Sequence, residues 1–146
     1  MTLLRRSLTF NNSIRGTIPA EYDQWGSRFL RNFDVHSNQL DGSIPPSFCN
    51  WTAALSVFSV FENQMNGAIP ACLLQGQTQL LLLHDNSFTG ALPPVGPRLR
   101  TLSASNNHFE GALPNLGRAV ALQTCTLHSN QFAGPLTALN LTVLPS

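Results

Sequence analysis

The sequence has little charge and no long apolar run. Charged residues make up 10% of its 146 residues and the formal net charge is +1, whereas about a quarter of an average soluble protein is charged. This balance excludes a broad basic surface for nucleic acid and an acidic tail. The longest apolar runs, such as Leu80–Leu83, are a handful of residues long and too short to cross a membrane.

Several sequence signatures are also missing. There is no G-x-x-x-x-G-K-[ST] or G-x-G-x-x-G nucleotide motif and no paired C-x-x-C, so we expect no cofactor and no metal. The segment 1–7 lacks the apolar stretch of a secretory signal peptide. Apolar residues nevertheless make up 42% of the chain and occur throughout it, which indicates one folded domain with a core of its own.

One short pattern recurs six times along the chain. Its first copy is Asn12-Ser-Ile14-Arg-Gly16-Thr-Ile18-Pro19, and its glycines fall at positions 16, 42, 67, 90, 111 and 134. Most copies follow an apolar frame of the form L-x-x-L-x-L, for example Leu30, Phe33 and Val35. The alternation at the end of each frame predicts a strand with one buried face.

This combination resembles the leucine-rich repeat, and N-x-L-x-G-x-I-P is similar to its plant-type subclass in receptor ectodomains and polygalacturonase inhibitors. Similar repeats occur in protist surface proteins. The resemblance implies an α/β-type solenoid, a short right-handed arc of about six repeats with a parallel sheet on its concave face and irregular or 3-10 segments on its convex face. We expect one domain over 1–146, with repeats at about 4–29, 30–54, 55–77, 78–98, 99–121 and 122–135. Residues 136–146 are predicted to be a truncated repeat or a cap.

Asparagine has a defined role in such a repeat, because its amide can both donate to and accept from backbone groups of a tight loop. Stacked copies are therefore predicted to form an asparagine ladder of Asn12, Asn38, Asn63, Asn86, Asn107 and Asn130. In the first repeat the apolar residues Leu8 and Phe10 are one position out of phase, so this strand either contains a bulge or belongs to a degenerate cap. The chain could also be a fragment of a longer solenoid.

The three cysteines leave one unpaired. Cys125 replaces a frame leucine and is expected to be buried as a small apolar residue. Cys49 and Cys72 lie on the convex segments of adjacent repeats, where they are either two free thiols or a disulfide. Three triplets match the N-glycosylation acceptor, beginning at Asn50, Asn140 and Asn11, and Asn50 is the best placed of them.

The variable strand positions are predicted to line the concave face. His36, His84 and His128 share one column in alternate repeats, about 10 Å apart, which is too far for two of them to share a zinc ion. Asp34, His36, Glu62, His84 and Asp85 form an acid and imidazole cluster around Ser59. A Ser-His-Asp hydrolase is conceivable there, but the sequence has no strained nucleophile turn and no oxyanion donors. We therefore expect no enzyme activity.

An apolar patch is the more unusual feature of this face. The segment Gln79–His84 is apolar on both faces although its strand needs only one buried face, and Leu80 and Leu82 are expected beside Val57 and Phe61. Exposed apolar patches often mark contact sites. The predicted partner-binding residues are Phe10, His36, Val57, Phe61, Leu80, Leu82, His84 and His128.

Two functions remain open at this stage. The first is an extracellular or cell-surface module that binds a protein, peptide or glycan through the concave sheet without covalent chemistry. The second is a structural subunit of an extracellular assembly that docks through uncapped solenoid ends or through the apolar patch. Neither involves nucleic acid or insertion of this chain into a membrane.

Overall fold

The computed structural model describes residues 6–20, 29–50 and 53–136. Within these ranges the main sheet contains six parallel strands in chain order, which confirms the predicted solenoid arrangement. Its strands are β1 (Arg6–Leu8), β3 (Asn32–Asp34), β5 (Val57–Ser59), β7 (Leu80–Leu82), β9 (Thr101–Ser103) and β11 (Thr124–Thr126). Each strand therefore forms one rung and pairs with the corresponding strand of the next repeat.

A second set of strands, each two to four residues long, follows the asparagines of the repeat pattern. They are β2 (Arg15–Gly16), β4 (Gln39–Leu40), β6 (Asn66–Gly67), β8 (Ser87–Gly90), β10 (His108–Gly111) and β12 (Gln131–Phe132). β6, β8, β10 and β12 form a second parallel sheet, and β2 pairs with β4. The helical segments that lie wholly within the described ranges include a 3-10 helix at Pro46–Asn50 and helix α1 at Ala71–Gln75, both placed after the repeat prolines. The predicted repeat limits and the single-domain description include residues outside the described ranges and stay predictions.

The core consists of the frame residues of successive rungs. The central residue of each described inner strand points inward, as Phe33, Phe58, Leu81 and Leu102 do, and all four are almost fully buried. Phe48 of the 3-10 helix packs edge-on against Phe33 and Phe58, with ring centroids 5.1 and 5.3 Å away. Burial falls at the last rung, where Cys125, Leu127 and Phe132 are only partly buried, because a repeat buries its apolar face against its neighbours.

The first strand continues the register of the sheet. Arg6, Ser7 and Leu8 pair with Asn32, Phe33 and Asp34. The ladder then continues through the bond from the Thr9 N–H to the Asp34 carbonyl. No extra residue is inserted, so the bulge that the sequence allowed is wrong, and Ser7 occupies the position that phenylalanine holds in the next rung. The degenerate cap stays the prediction for this repeat.

The asparagines link each rung to the preceding one. Asn63 accepts a hydrogen bond at Oδ1 from the Leu40 N–H (2.9 Å) and donates from Nδ2 to the carbonyls of Val35, Val60 and Phe61 (3.0 to 3.2 Å). The same set recurs at Asn38, Asn86, Asn107 and Asn130. Asn12 makes one such bond, to the Phe10 carbonyl, and is exposed. The amide therefore satisfies buried backbone groups that the narrow turn leaves unpaired.

A glycine lies four residues after each ladder asparagine, at the end of the turn. Gly42 and Gly67 have φ angles of +70° and +77°, in the left-handed region that favours glycine. A Cβ at Gly42 would lie 2.7 Å from Thr17 Cγ2, and one at Gly67 would lie 2.9 Å from Ser43 Cβ. The backbone angle explains the glycine in all six copies, and close packing of adjacent repeats adds a second reason at Gly42 and Gly67.

Cys49 and Cys72 form a disulfide between the 3-10 helix and α1, with their Cα atoms 5.5 Å apart. The sequence left open whether these cysteines are two free thiols or a disulfide, and the structure has the disulfide. Cys125 is free, and burial raises the pKa of its thiol. A raised pKa keeps the thiol protonated near neutral pH and slows its reaction with alkylating reagents.

We expect the unfolded, unreduced protein to take up one alkyl group, on Cys125, and the reduced protein to take up three. Intact-mass spectrometry after treatment with iodoacetamide measures both numbers. In the folded protein the single adduct should form slowly, because the thiol is partly buried and protonated. A Cys125→Ser variant should take up none without reductant. Three adducts on unreduced wild-type protein would show that the disulfide does not form.

Candidate functional site: the concave sheet face

The concave face is formed by the outward residues of the main sheet. Residues of adjacent strands are in register, so equivalent positions line up in three columns across the rungs. For the last five rungs the first column is Asn32, Val57, Leu80, Thr101 and Thr124, the second is Asp34, Ser59, Leu82, Ser103 and Thr126, and the third is His36, Phe61, His84, Ser105 and His128. Apolar residues therefore meet at the third and fourth rungs, and hydroxyl groups dominate the last two.

A continuous stack of four rings runs along the third column. Phe10, His36, Phe61 and His84 stack in this order, with centroid distances of 4.8, 4.2 and 4.4 Å and interplanar angles of 5 to 12°. These distances approach the spacing of adjacent strands, about 4.8 Å, so the sheet itself sets the separation of the rings. We call these four residues the ring column. Its planar side chains pack face to face in one row along the concave face.

Each histidine of the ring column has a second partner. His36 Nδ1 lies 2.6 Å from Asp34 Oδ1, and because an ionised carboxylate only accepts, this nitrogen carries a proton. His84 Nδ1 lies 3.0 Å from Ser103 Oγ, which in turn lies 3.0 Å from Thr126 Oγ1. The two imidazoles are thus oriented both by stacking and by hydrogen bonds, and His84 connects the apolar rungs to the hydroxyl-rich ones.

The apolar patch is less exposed than the sequence predicted. Val57, Phe61, Leu80 and Leu82 are all half-buried, and none is among the large apolar side chains that stand out as exposed in the described ranges. Leu80 lies beside Val57, but Leu82 lies beside Ser59. Phe61 packs between His36 and His84 instead. The patch is therefore a shallow, tightly packed surface.

The chain resembles solved receptors through most of its length. A family model described as Leucine Rich Repeat matches residues 29–51 and 98–118. The crystal structure of a TDR receptor is 36% identical, with a TM-score of 0.80 over 87% of this chain. The chain belongs to the leucine-rich-repeat family. Its plant-type character agrees with a second structure, the Arabidopsis receptor kinase HAESA in complex with the peptide hormone IDA and the co-receptor SERK1, which is 29% identical with a TM-score of 0.79 over 94% of this chain.

A third structure extends this comparison. The plant peptide hormone receptor RGFR1 in complex with RGF2 is 26% identical, with a TM-score of 0.74 over 88% of this leucine-rich-repeat chain. The chain spans 22%, 24% and 21% of the TDR receptor, HAESA and RGFR1 chains, so it corresponds to about a fifth to a quarter of each. A comparison with curated proteins finds no match.

The catalytic candidates of this leucine-rich-repeat chain are not brought into a triad within the described residues. Ser59 is only 1% exposed and its Oγ has no hydrogen-bond partner, so a substrate has no access to it. The carboxylate of Asp34 contacts His36, whereas the serine that contacts an imidazole is Ser103, at His84. Phe61 separates the two histidines. The carboxylate–imidazole contact at His36 and the hydroxyl–imidazole contact at His84 therefore lie at two different places on the face.

In the described ranges no helix has the length and apolar character needed to cross a membrane. No group of three or more histidine, cysteine or acidic side chains is suited to holding a metal ion there.

The predicted glycosylation sites differ in their surroundings. Asn50 is exposed at the end of the 3-10 helix, beside the disulfide. Asn11 is exposed but has a φ of +53° and lies next to Asn12 of the ladder. Asn140 lies outside the described residues. Occupancy of these sites stays a prediction.

Sequence reasoning placed the histidines, Phe10 and Phe61 on the concave face but did not predict that the four rings stack. His36 and His84 each lie two residues before a ladder asparagine, and Phe10 and Phe61 share that offset. The offset therefore contained the signal for a four-ring stack. The remaining residues of this column are Ser105, which is buried, and His128, which is exposed.

Proposed function

We propose that this chain is a non-catalytic, extracellular binding module that recognises a protein or peptide through its concave face. The ring column carries the proposal. A stack that is held by the sheet and by hydrogen bonds to Asp34 and Ser103 forms a surface ordered before any partner arrives. Pre-ordering lowers the entropic cost of binding.

Two further observations support the proposal. HAESA and RGFR1 are similar to this chain over most of its length, and their structures hold a peptide hormone and RGF2, respectively. The disulfide between Cys49 and Cys72 suits an oxidising compartment outside the cytosol. Half-buried apolar side chains beside neutral hydroxyl groups also suit a surface that contacts water when the partner is absent and is covered when the partner binds.

A displayed library of random twelve-residue peptides tests this function. We expect peptides selected on the wild-type chain to bind a Leu82→Asp variant at least tenfold more weakly, because the new carboxylate lies in the centre of the patch. Val120→Asp is the matched control. Val120 is an apolar side chain with 52% exposure that lies outside the strands of the main sheet. Affinity is measured by surface plasmon resonance, and folding by circular dichroism.

The two variants distinguish binding at the concave face from non-specific binding to exposed apolar side chains. Equal weakening by both variants, or full affinity of a folded Leu82→Asp variant, would contradict recognition through the concave face.

A further inference from the structure

We infer that the concave face selects a peptide segment in which a basic side chain lies next to an apolar one. This rests on the proposed function and names its partner class. The apolar side chain would lie on the patch of Val57, Leu80 and Leu82, and the lysine or arginine would reach Glu62 and Asp85. We call these two carboxylates the acidic edge.

The acidic edge directly follows the ring column. Glu62 comes after Phe61 and Asp85 after His84, on adjacent rungs, and both acidic residues are exposed. The Glu62 N–H bonds to the His84 carbonyl at 3.1 Å, and the Asn63 N–H bonds to the Asp85 carbonyl at 3.2 Å. The backbone is therefore locked in register, and adjacent strands bring the two acidic residues to within about 5 Å of each other at the backbone.

No basic side chain neutralises this edge within the described ranges. The side-chain contact between an acidic and a basic residue type found there joins Asp34 to His36. Glu62 accepts a hydrogen bond from the Ser37 hydroxyl, and Asp85 accepts one from Asn106 Nδ2 at 2.7 Å. These bonds orient the carboxylates but leave their charges in place. Two like charges on neighbouring strands repel each other, and a cation between them removes that repulsion.

Two exposed arginines lie at the opposite edge of the main sheet. Arg31 and Arg100 each come directly before a strand of this sheet, β3 and β9. Both are exposed. Since all strands are parallel, their starting ends share one edge, and Glu62 and Asp85 follow the finishing ends. The face is thus polarised along the strands, and a bound peptide would place its basic side chain toward the finishing ends.

An unpartnered hydroxyl lies between the patch and the acidic edge. Ser59 pairs in register with Asp34 on one side and Leu82 on the other. Its side chain is on the concave face, yet the residue is 1% exposed and Oγ has no partner. Buried polar groups without partners are uncommon in folded proteins. At 1% exposure this hydroxyl lies beneath its neighbours, so a peptide laid across the patch would cover it without contacting it.

The chemistry of the face favours a peptide over other ligands. The acidic edge repels the phosphates of nucleic acid and the acid groups of charged polysaccharides, and a neutral glycan brings no cation to offset its two like charges. From Leu82 to Asp85 the chain advances about 10 Å, which is within reach of an arginine or lysine adjacent to an apolar anchor. A peptide can present both side chains together.

The test uses the same random twelve-residue library and a charge-neutral double variant, Glu62→Gln with Asp85→Asn. We expect peptides selected on the wild-type chain to be enriched in Arg or Lys next to Leu, Ile, Phe, Tyr or Trp. The double variant should bind them about tenfold more weakly, and the difference should shrink between 50 and 500 mM salt because screening weakens exposed charge pairs. Glu110→Gln is the control, since Glu110 is an exposed acid on β10 of the second sheet.

The outcomes distinguish failure of the basic-partner inference from failure of recognition through the concave face. Weaker binding by both the double variant and Leu82→Asp, with Glu110→Gln unchanged, supports the inference. Peptides that depend on Leu82 but bind the double variant with full affinity overturn the basic partner and leave recognition through the concave face intact. Peptides that bind both the double variant and Leu82→Asp with full affinity overturn both proposals.

Discussion

Replacing Asn107 by alanine is expected to lower the free energy of unfolding by about 3 kcal/mol. Its side chain is 5% exposed, and Oδ1 accepts the Phe88 N–H at 3.0 Å while Nδ2 donates to the Leu83 carbonyl at 3.0 Å. Alanine leaves the Phe88 N–H unpaired in the core, and the Leu83 carbonyl keeps only its bond from Asn86 Nδ2 at 3.2 Å. Urea unfolding followed by circular dichroism measures the loss.

Asparagine 12 provides the matched control for this ladder position. Among the described residues its side chain makes a single hydrogen bond, to the Phe10 carbonyl, and the residue is exposed. Asn12→Ala should therefore cost less than about 0.5 kcal/mol, because water replaces the bond. If both alanine variants unfolded at the same urea concentration, the asparagines would not bridge the rungs as the structure describes.

An aspartate at the same position separates shape from hydrogen bonding. Asn107→Asp keeps the size of the side chain and one acceptor but cannot donate to the carbonyls of Leu83 and Ser105, which lie 3.0 and 3.1 Å from Nδ2. It would also bury a charge without a cation. We expect a loss at least as large as that of alanine. A stable Asn107→Asp variant would contradict the donor role of the amide.

Replacing Phe58 by alanine is expected to lower the free energy of unfolding by about 4 kcal/mol. The residue is fully buried, and its ring contacts Phe33 and Phe48 with centroid distances of 5.3 Å. Its removal opens a cavity at the junction between the sheet and the 3-10 helix. The loss is measured as the shift of the urea midpoint at constant m-value.

Phe61 is the matched control three residues further along. It lies on the concave face, half-buried between His36 and His84. Phe61→Ala removes stacking but opens no core cavity, so we expect a loss of about 1 kcal/mol. Peptide binding should fall instead, because the ring column is interrupted. Equal destabilisation by the two substitutions would contradict the assignment of inward and outward faces.

The repeat architecture could be predicted because it depends on local patterns that the chain repeats. The spacing of asparagine, glycine and apolar frame residues, as at Asn63, Gly67 and Phe58, is enough to place a strand, a turn and a buried column in every copy. The comparisons confirm the leucine-rich-repeat family and its plant type.

The binding surface could be predicted only in part. The columns follow from the repeat offset, but whether Leu82 is exposed depends on the sizes of its neighbours, and Ser59 is buried although it lies on the outward face.

The register of the first strand could not be predicted from the sequence either. Leu8 and Phe10 indicated a slip, yet pairing with β3 keeps Ser7 in the frame position, because the backbone hydrogen bonds of a neighbouring strand set the register.

The sequence by itself therefore determined the repeat, the identity of the ladder asparagines and the residues of each column. Only the tertiary structure decided that Cys49 and Cys72 form a disulfide, that Phe10, His36, Phe61 and His84 form one stack, and that two uncompensated carboxylates lie beside it. The physical reason is distance. A local pattern states which residues share a position in the repeat, whereas contacts between rungs depend on how closely residues 20 or more positions apart pack, as Phe61 and His84 do at 4.4 Å.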